Sequence, residues 1–161
     1  MKMRRSWLLV AYPVTTRLDV ETKSCGGRNE HGGILIGRYR GPHSEIIGLT
    51  ERGLADISSR YSFVKQDSKH QRSALAAWKR SGGTDTYLGE WHTHPFGGPS
   101  PSATDTDTWK TAVEAAKRTM FFAIVSPQGW AIYIVQPRFW RRTEVRELKV
   151  IENAESGQIF S

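Results

Sequence analysis

The spacing of apolar residues in the first part of the chain predicts strands before any helix. Trp7–Tyr12 is a short apolar run closed by a proline, as expected for a buried strand. Gly33–Tyr39 and Ile46–Thr50 are rich in β-branched residues and flank a Gly-Pro turn, so they predict a hairpin. Residues 15–29 are polar and stay open, with a short helix as one option, and residues 51–62 predict no clear element.

The middle of the chain predicts two helices on either side of a strand. Ser68–Arg80 is rich in helix-forming residues, and the glycine pair that follows would end a helix. Tyr87–His92 predicts a strand that runs into a loop rich in glycine and proline. A second helix is predicted to start at Ser102 and to continue to Ala116, because its apolar residues recur on one face.

The last third of the chain predicts a dense apolar hairpin and a polar end. Met120–Val125 and Trp130–Val135 are apolar strands joined by Ser-Pro-Gln-Gly, a sequence with strong turn chemistry. Residues 137–151 predict one more, basic strand, and residues 152–161 predict a loose, flexible tail. The order of elements indicates one α/β domain over residues 1–151.

Length and composition fit a globular domain with one site. At 161 residues the chain can build one ordinary core but not two. Apolar residues make up 38% of the chain and charged residues 24%, which excludes a disordered protein. The N-terminal apolar run is too short to span a membrane and lacks a clear signal-peptide cleavage site, so we expect a cytoplasmic protein with no membrane partner.

A single cysteine restricts the chemistry that the chain can support. Cys25 excludes an internal disulfide and a cysteine-based zinc site, so any metal must be held by His, Asp or Glu. Because it stands alone between two polar segments, Cys25 is more often a bystander than a nucleophile.

The formal net charge of +7 allows an acidic partner without identifying one. Lys and Arg form modest clusters at residues 2–5 and 138–146, and neither has the glycine and aromatic pattern of an RNA-binding motif. We therefore expect a solvated basic face and no specific nucleic-acid partner. A basic nucleic-acid-associated domain is a minor alternative, which steeply salt-dependent binding to DNA or RNA would support.

His92 and His94 are the centre of the candidate chemistry. Residues i and i+2 of a strand project from the same face, so both rings can offer a nitrogen to one cation. Asp105 can supply a third ligand if the Gly- and Pro-rich loop folds back and the next helix starts beside the strand end. Two histidines and one carboxylate leave a coordination position for water, which is typical of a catalytic zinc site.

Two further roles stay ambiguous from spacing alone. Ser102 and Asp105 resemble a capping box, in which the serine simply starts the helix. A hydrolytic zinc site also needs a general base, and two glutamates compete for that role. Glu90 shares strand parity with the two histidines, whereas Glu30 only precedes the strand Gly32–Gly37. Local reasoning therefore favours Glu90.

Two segments resemble the signatures of the JAB/MPN metallopeptidases, the family of the JAMM motif. The matching residues are His92-x-His94-Pro95, Ser102 and Asp105 downstream, and Glu30-x-x-Gly33-x-Leu35-x-Gly37 upstream. The resemblance implies that His92, His94 and Asp105 bind one Zn²⁺ per chain. It implies that Glu30 is the general acid/base, that Ser102 helps to hold the oxyanion, and that Glu90 is a supporting carboxylate. It also implies a curved, partly barrel-like mixed sheet flanked by helices.

A narrower resemblance concerns the bacterial JAB peptidases encoded in CBASS antiphage operons. It is carried by Phe63-x-x-x-Asp67-x-x-His70-Gln71, by Trp78-x-x-Ser81-Gly82 and by Gly89–Pro95. Those proteins are similar to eukaryotic deubiquitinases and reverse the conjugation of a cGAS-like nucleotidyltransferase, through its C-terminus, to target molecules. The resemblance implies a zinc-dependent isopeptidase or peptidase that acts on the tail of such a conjugate. The alternative is an inactive JAMM-type scaffold or partner-binding module, but such domains typically lose ligands and this chain keeps every candidate.

Overall fold

A computed structural model describes residues 6–138 and 142–161, in which a curved mixed sheet is flanked by helices. The helices are α1 (Tyr12–Ser24), α2 (Ser68–Arg80) and α3 (Ala103–Ala116). The strands are β1 (Leu8–Ala11), β2 (Gly32–Arg40), β3 (His43–Leu49), β4 (Ile57–Ser59), β5 (Ser62–Val64), β6 (Thr86–Thr93), β7 (Met120–Ser126), β8 (Gly129–Gln136), β9 (Glu144–Leu148), β10 (Val150–Asn153) and β11 (Gly157–Phe160). The basic cluster at residues 2–5 and the centre of the cluster at residues 138–146 lie outside the described residues.

The large sheet has the strand order β10-β11-β1-β3-β2-β6-β7-β8-β9, and its two edges come from adjacent segments of the chain. Between β9 and β10 only Lys149 intervenes, and its backbone exchanges two hydrogen bonds of 3.1 and 3.0 Å with Ser161. One continuous segment therefore passes from one edge of the sheet to the other. This connection nearly closes the sheet and confirms the expected α/β fold with a curved, partly barrel-like sheet.

Most of the predicted elements are present where the apolar pattern placed them. The hairpins β2–β3 and β7–β8 are both antiparallel pairs, and α2 has the predicted bounds. Every residue of β7 is buried, because β7 lies between β6 and β8 and is covered by α1 on one face and by α3 on the other. No helix of the described residues is long and apolar enough to cross a membrane.

The first helix corrects two expectations at the N-terminus. The first strand is shorter than Trp7–Tyr12, because Tyr12 already begins α1, and the open segment 15–29 is helical up to Ser24. Proline fits this position because its missing N–H is one that the first turn of a helix leaves without a helical partner. The buried face of α1 includes Thr15 and Glu21, so the apolar pattern alone understated the helix.

The prediction of a loose tail over residues 152–161 is wrong. β11 pairs antiparallel with β1 over four residues, so it lies inside the sheet. Phe160 is buried there and packs against the ring of Trp130. Instead of one basic strand, residues 144–153 form β9 and β10. Most side chains of these short strands are exposed, so the few residues that reach the core do not form a recognisable apolar pattern in the sequence.

The small hairpin β4–β5 lies within residues 51–67 and is separate from the large sheet. The sequence predicted no clear element for residues 51–62. We call residues 53–67 the flap. It ends at Asp67, whose side chain caps the start of α2 by accepting a hydrogen bond from the Lys69 amide at 2.8 Å.

Candidate active site

Three of the predicted site residues converge on one point. The Nε2 atoms of His92 and His94 are 3.0 Å apart, and each lies 3.2 Å from a different carboxylate oxygen of Asp105. Ligands at zinc–ligand distances of 2.0 to 2.1 Å in a tetrahedral site are about 3.3 Å from one another. The observed separations fit such a site, with one position left over. The three side chains are half-buried, as a site that exchanges substrate requires.

The two histidines are held by the strands on both sides of β6. We call β6, which contains His92 and ends just before His94, the ligand strand. It pairs antiparallel with β2 and parallel with β7, so backbone bonds fix both of its edges. The amide of His94 donates to Val125 O at 2.7 Å. Gly32 lies opposite His92, and a β-carbon there would be only 2.0 Å from Trp91 O. Only glycine therefore allows β2 to approach the ligand strand this closely.

The third candidate ligand, Asp105, lies at the start of α3. Ser102 caps this helix: its Oγ accepts the Asp105 amide at 3.1 Å, and an Asp105 carboxylate oxygen accepts the Ser102 amide at 2.7 Å. The capping box therefore fixes the carboxylate that faces the histidines. Farther along α3, Trp109 stacks on Phe122 of β7, with ring centroids 4.7 Å apart, and holds the helix on the sheet.

The loop between the histidines and α3 is pinned from the opposite strand. The hydroxyl of Tyr133 in β8 donates to Pro99 O at 2.7 Å. This contact brings the Gly- and Pro-rich loop back onto the sheet, which is the fold-back that a third ligand required.

The charges of the three residues support one another. Burial alone would raise the pKa of Asp105, but hydrogen bonds from His92 and His94 hold it well below its usual value. The hydrogen bond to Asp105 is the main reason why the pKa of His94 is raised, against the opposing effect of burial. The site thus contains an ionised carboxylate beside two imidazoles, a donor set that suits Zn²⁺.

Glu30 lines the same cleft as the three candidate ligands, although it is far from them in sequence. Its amide donates to Ser59 O at 2.8 Å, and its carbonyl oxygen accepts a hydrogen bond from the hydroxyl of Ser58. Burial raises the pKa of Glu30, while the charges of His92 and His94 act in the opposite direction. The flap therefore holds the backbone of Glu30, and its side chain shares the electrostatic environment of the ligands.

Glu90 lines the cleft as well, but its carboxylate is engaged. It forms an ion pair with Lys65 and accepts a hydrogen bond from the Tyr87 hydroxyl at 2.9 Å. Cys25 is fully buried in the core, and burial raises the pKa of its thiol, so nothing in its surroundings favours a nucleophilic role.

The sequence analysis missed the side chains that form the mouth of the cleft. Arg60 and Tyr61 lie at the turn of the flap, and Phe96 follows the ligand strand. The Arg60 guanidinium carbon is 4.1 Å from the centroid of the Phe96 ring and 5.3 Å from that of Tyr61. The sequence feature that could have indicated this mouth is an arginine followed by a tyrosine in a polar segment, because both residue types are enriched at binding surfaces.

Comparison with known proteins matches residues 20–148 to the model of prokaryotic homologs of the JAB domain. A CD-NTase/cGAS isopeptidase of Vibrio cholerae is 38% identical over 120 residues, covering 74% of this chain and 70% of that protein. One of the same name from Pseudomonas aeruginosa is 39% identical over 108 residues, covering 66% and 68%. A probable metalloprotease of Sinorhizobium fredii is 27% identical and covers 79% of each chain. The solution structure of a protein from Desulfitobacterium hafniense shares the fold, with a TM-score of 0.59 at 19% identity over 92% of this chain and 95% of that one. The chain therefore belongs to the prokaryotic JAB-domain family.

Proposed function

We propose that this chain is a zinc-dependent isopeptidase or peptidase that hydrolyses an amide or isopeptide bond at the C-terminus of a conjugated protein. The observation that carries the proposal is the convergence of His92, His94 and Asp105, with 3.0 to 3.2 Å between the facing atoms, in a cleft that also contains Glu30. Its relatives named isopeptidase and probable metalloprotease support the same activity.

His92, His94 and Asp105 would hold one zinc ion per chain. A zinc ion with an open position lowers the pKa of the water that it binds toward about 7 and polarises a carbonyl group. Asp105 stays ionised for this role, because the two histidines hold its pKa low. Its position depends on the capping box at the start of α3, so the same serine and aspartate serve the helix and the site.

Glu30 acts as the general acid/base. Its carboxylate accepts a proton from the attacking water and returns it to the departing amine. Burial in the cleft raises its pKa, which brings the carboxylate closer to the working range of a base at neutral pH. Glu90 keeps a supporting role, because Lys65 and Tyr87 already occupy its carboxylate.

Ser102 donates a hydrogen bond to the oxyanion that forms when the carbonyl carbon is attacked. Its Oγ already accepts the Asp105 amide, and within residues 6–138 and 142–161 no acceptor takes its O–H. The hydroxyl proton is therefore available to the substrate. Capping and oxyanion stabilisation use different parts of the same hydroxyl, so the two roles coexist.

The substrate that we propose is the C-terminal tail of a cGAS-like nucleotidyltransferase conjugated to a target molecule. The relatives named CD-NTase/cGAS isopeptidase point to this class. We expect the reaction to take place in the cytoplasm and to serve antiphage defence. The flap turn and Phe96 meet at the mouth of the cleft, so an extended tail can lie along the surface that they form.

The test uses a cGAS-like nucleotidyltransferase fused through its C-terminus to a reporter protein. We expect the chain to release the reporter at the fusion bond, and to lose this activity in a chelator. The matched control carries the last residues of the tail in reversed order and should stay intact. Cleavage of both fusions at equal rates would contradict the proposed substrate, and cleavage of neither would contradict the proposed activity.

A further inference from the structure

We infer that Asp56 and His70 are positioning residues that hold the flap on the backbone of Glu30. Neither residue lines the cleft. Their effect on catalysis rests on the proposed function, but their effect on the flap does not. Four groups of contacts carry the inference: those at each end of the flap, that to α2 and those to Glu30.

Asp56 ties the two ends of the flap together. One carboxylate oxygen accepts the Gly53 amide at 2.7 Å, and the other accepts the amides of Gln66 and Asp67, each at 2.8 Å. The two ends are in direct contact, since a β-carbon on Gly53 would be 2.3 Å from the Asp67 side chain. The flap is therefore a closed loop whose ends meet at one carboxylate.

His70 connects this carboxylate to the large sheet. From α2 its Nε2 lies 2.8 Å from Asp56, and its Nδ1 lies 2.6 Å from the Thr50 hydroxyl. That hydroxyl accepts the Ile34 amide of β2 at 2.9 Å, and Thr50 O accepts the indole N–H of Trp91, the residue before His92. With the imidazole proton on Nε2, every donor in this chain of contacts faces an acceptor.

The flap depends on these polar contacts because it buries little apolar surface. Its other contacts with the domain, the Lys65–Glu90 ion pair and the Arg60–Phe96 contact, are near the cleft and do not join its two ends. β4 and β5 have three residues each, and an isolated two-stranded hairpin is marginal in water. Ile57 and Val64 pair across the hairpin, yet both are exposed and add little apolar burial. The side chain of Asp56, in contrast, is fully inaccessible to solvent, and loss of one partner would leave buried groups unsatisfied.

The flap transmits this position to Glu30. Ser58 and Ser59 of β4 hold the carbonyl oxygen and the amide of Glu30, respectively. On the other side of Glu30, the His31 amide donates to the Thr93 hydroxyl at 3.0 Å. The Glu30 backbone is thus held between the flap and the ligand strand, and a displaced flap would displace the carboxylate.

The first test measures amide hydrogen exchange, which needs no catalytic activity. In Asp56→Asn the Glu30 amide should exchange at least about tenfold faster, while the His94 amide, bonded within the sheet, should change less than about twofold. Two substitutions of His70 separate its contact with Asp56 from its contact with Thr50. Gln places its side-chain amide near the position of Nε2, which faces Asp56, whereas Asn places it near the position of Nδ1, which faces Thr50. His70→Asn should therefore behave like Asp56→Asn, and His70→Gln should keep the Glu30 amide within about threefold of wild type. Equal changes at Glu30 and His94, or no change at either, would overturn the inference.

The second test is a double-mutant cycle on kcat, with each variant normalised to its zinc content. Asp56→Asn and Ser58→Ala should each lower kcat about tenfold or more, because a small displacement of a catalytic group is costly. Since both act through the Glu30 backbone, the double variant should be no slower than the slower single variant. Multiplicative losses would show independent effects and overturn the inference. An inactive wild-type chain would refute the proposed function alone, since the exchange test would still decide the role of the flap.

Discussion

At the scale of single residues, Glu30 and Glu90 are distinguished by their partners and not by their place in the cleft. Glu90 is paired with Lys65, whereas in the part of the chain that the structure describes no cation pairs with Glu30. A carboxylate held by an ion pair is less able to exchange a proton with a substrate than a free one with a raised pKa. The surroundings of the two glutamates therefore favour Glu30 as the general acid/base. This agrees with the family resemblance and not with the strand parity that favoured Glu90.

We predict that Glu30→Gln keeps its zinc but lowers kcat by about 10²- to 10⁴-fold, the usual contribution of a general acid/base. Glu90→Gln, a matched change in the same cleft, should lower kcat less than about tenfold. Steady-state cleavage of the nucleotidyltransferase fusion, together with the zinc content of each variant, measures both effects. If Glu30→Gln retained its zinc and the wild-type rate, the assigned base would be wrong.

Ser102 allows a prediction that separates the cap from the oxyanion role. Gly in place of an N-cap serine costs only a few tenths of a kcal/mol and has no side-chain donor, so Ser102→Gly should change the free energy of unfolding by less than about 0.5 kcal/mol. Its kcat should nevertheless fall about 10²- to 10³-fold. Ser102→Thr, which keeps both features, is the control and should stay close to wild type. Full activity in Ser102→Gly would show that the serine acts only as a helix cap.

Sequence spacing predicted the part of the site that is local. His92 and His94 follow from strand parity, and Asp105 from a loop that folds back. Glu30 did not follow, because it enters the cleft through the pairing of β2 with β6 and through the flap. Such non-local contacts leave no periodic trace near the residue itself.

At the scale of secondary-structure elements, strong apolar patterns predicted position and type, and weak ones did not. β7 and β8 are continuous apolar runs and were predicted, whereas β4 and β5 have three residues each with mostly exposed side chains. The flap depends on Asp56 and on backbone contacts, which hydrophobic periodicity does not record.

The last strand, β11, allows a prediction at this scale. Deletion of residues 157–161 should lower the free energy of unfolding by at least about 2 kcal/mol, because it exposes the cavity of Phe160 and leaves β1 unpaired on one side. Urea denaturation measures this difference, and Gln158→Ala in the same strand is the control for a local side-chain effect. Unchanged stability after the deletion would show that residues 157–161 behave as a loose tail.

At the scale of the whole molecule, the buried charge of Asp56 connects stability to pH. Burial would raise the pKa of Asp56, but hydrogen bonds from the Asp67 amide, His70 and two further backbone amides lower it from 3.8 to about 2. The folded-state pKa is depressed, so its stabilisation is present above pH 4 and is lost as the pH falls toward 2.

We therefore predict that wild type is more stable than Asp56→Asn by about 1–3 kcal/mol at pH 5. This difference should narrow progressively as the pH falls from 4 to 2. Denaturant unfolding at a series of pH values, with Asp107→Asn on the exposed side of α3 as the control, measures it. A stability difference between the two proteins that stays constant from pH 5 to pH 2 would contradict the claim that Asp56 is buried and ionised.

The whole fold serves to bring three separate parts of the chain to one point. The sheet carries the histidines, α3 carries Asp105, and the segment before β2 carries Glu30. The central claim is that this point binds a catalytic zinc ion.

Titration of the metal-free chain with zinc tests that claim most directly, with bound metal and the rate of fusion cleavage measured at each step. We predict that the rate rises in proportion to bound zinc and reaches its maximum at one equivalent, and that His92→Ala neither binds zinc stoichiometrically nor becomes active. A chain that cleaves at full rate without metal, or that takes up one zinc ion and remains inactive as a scaffold would, contradicts the account.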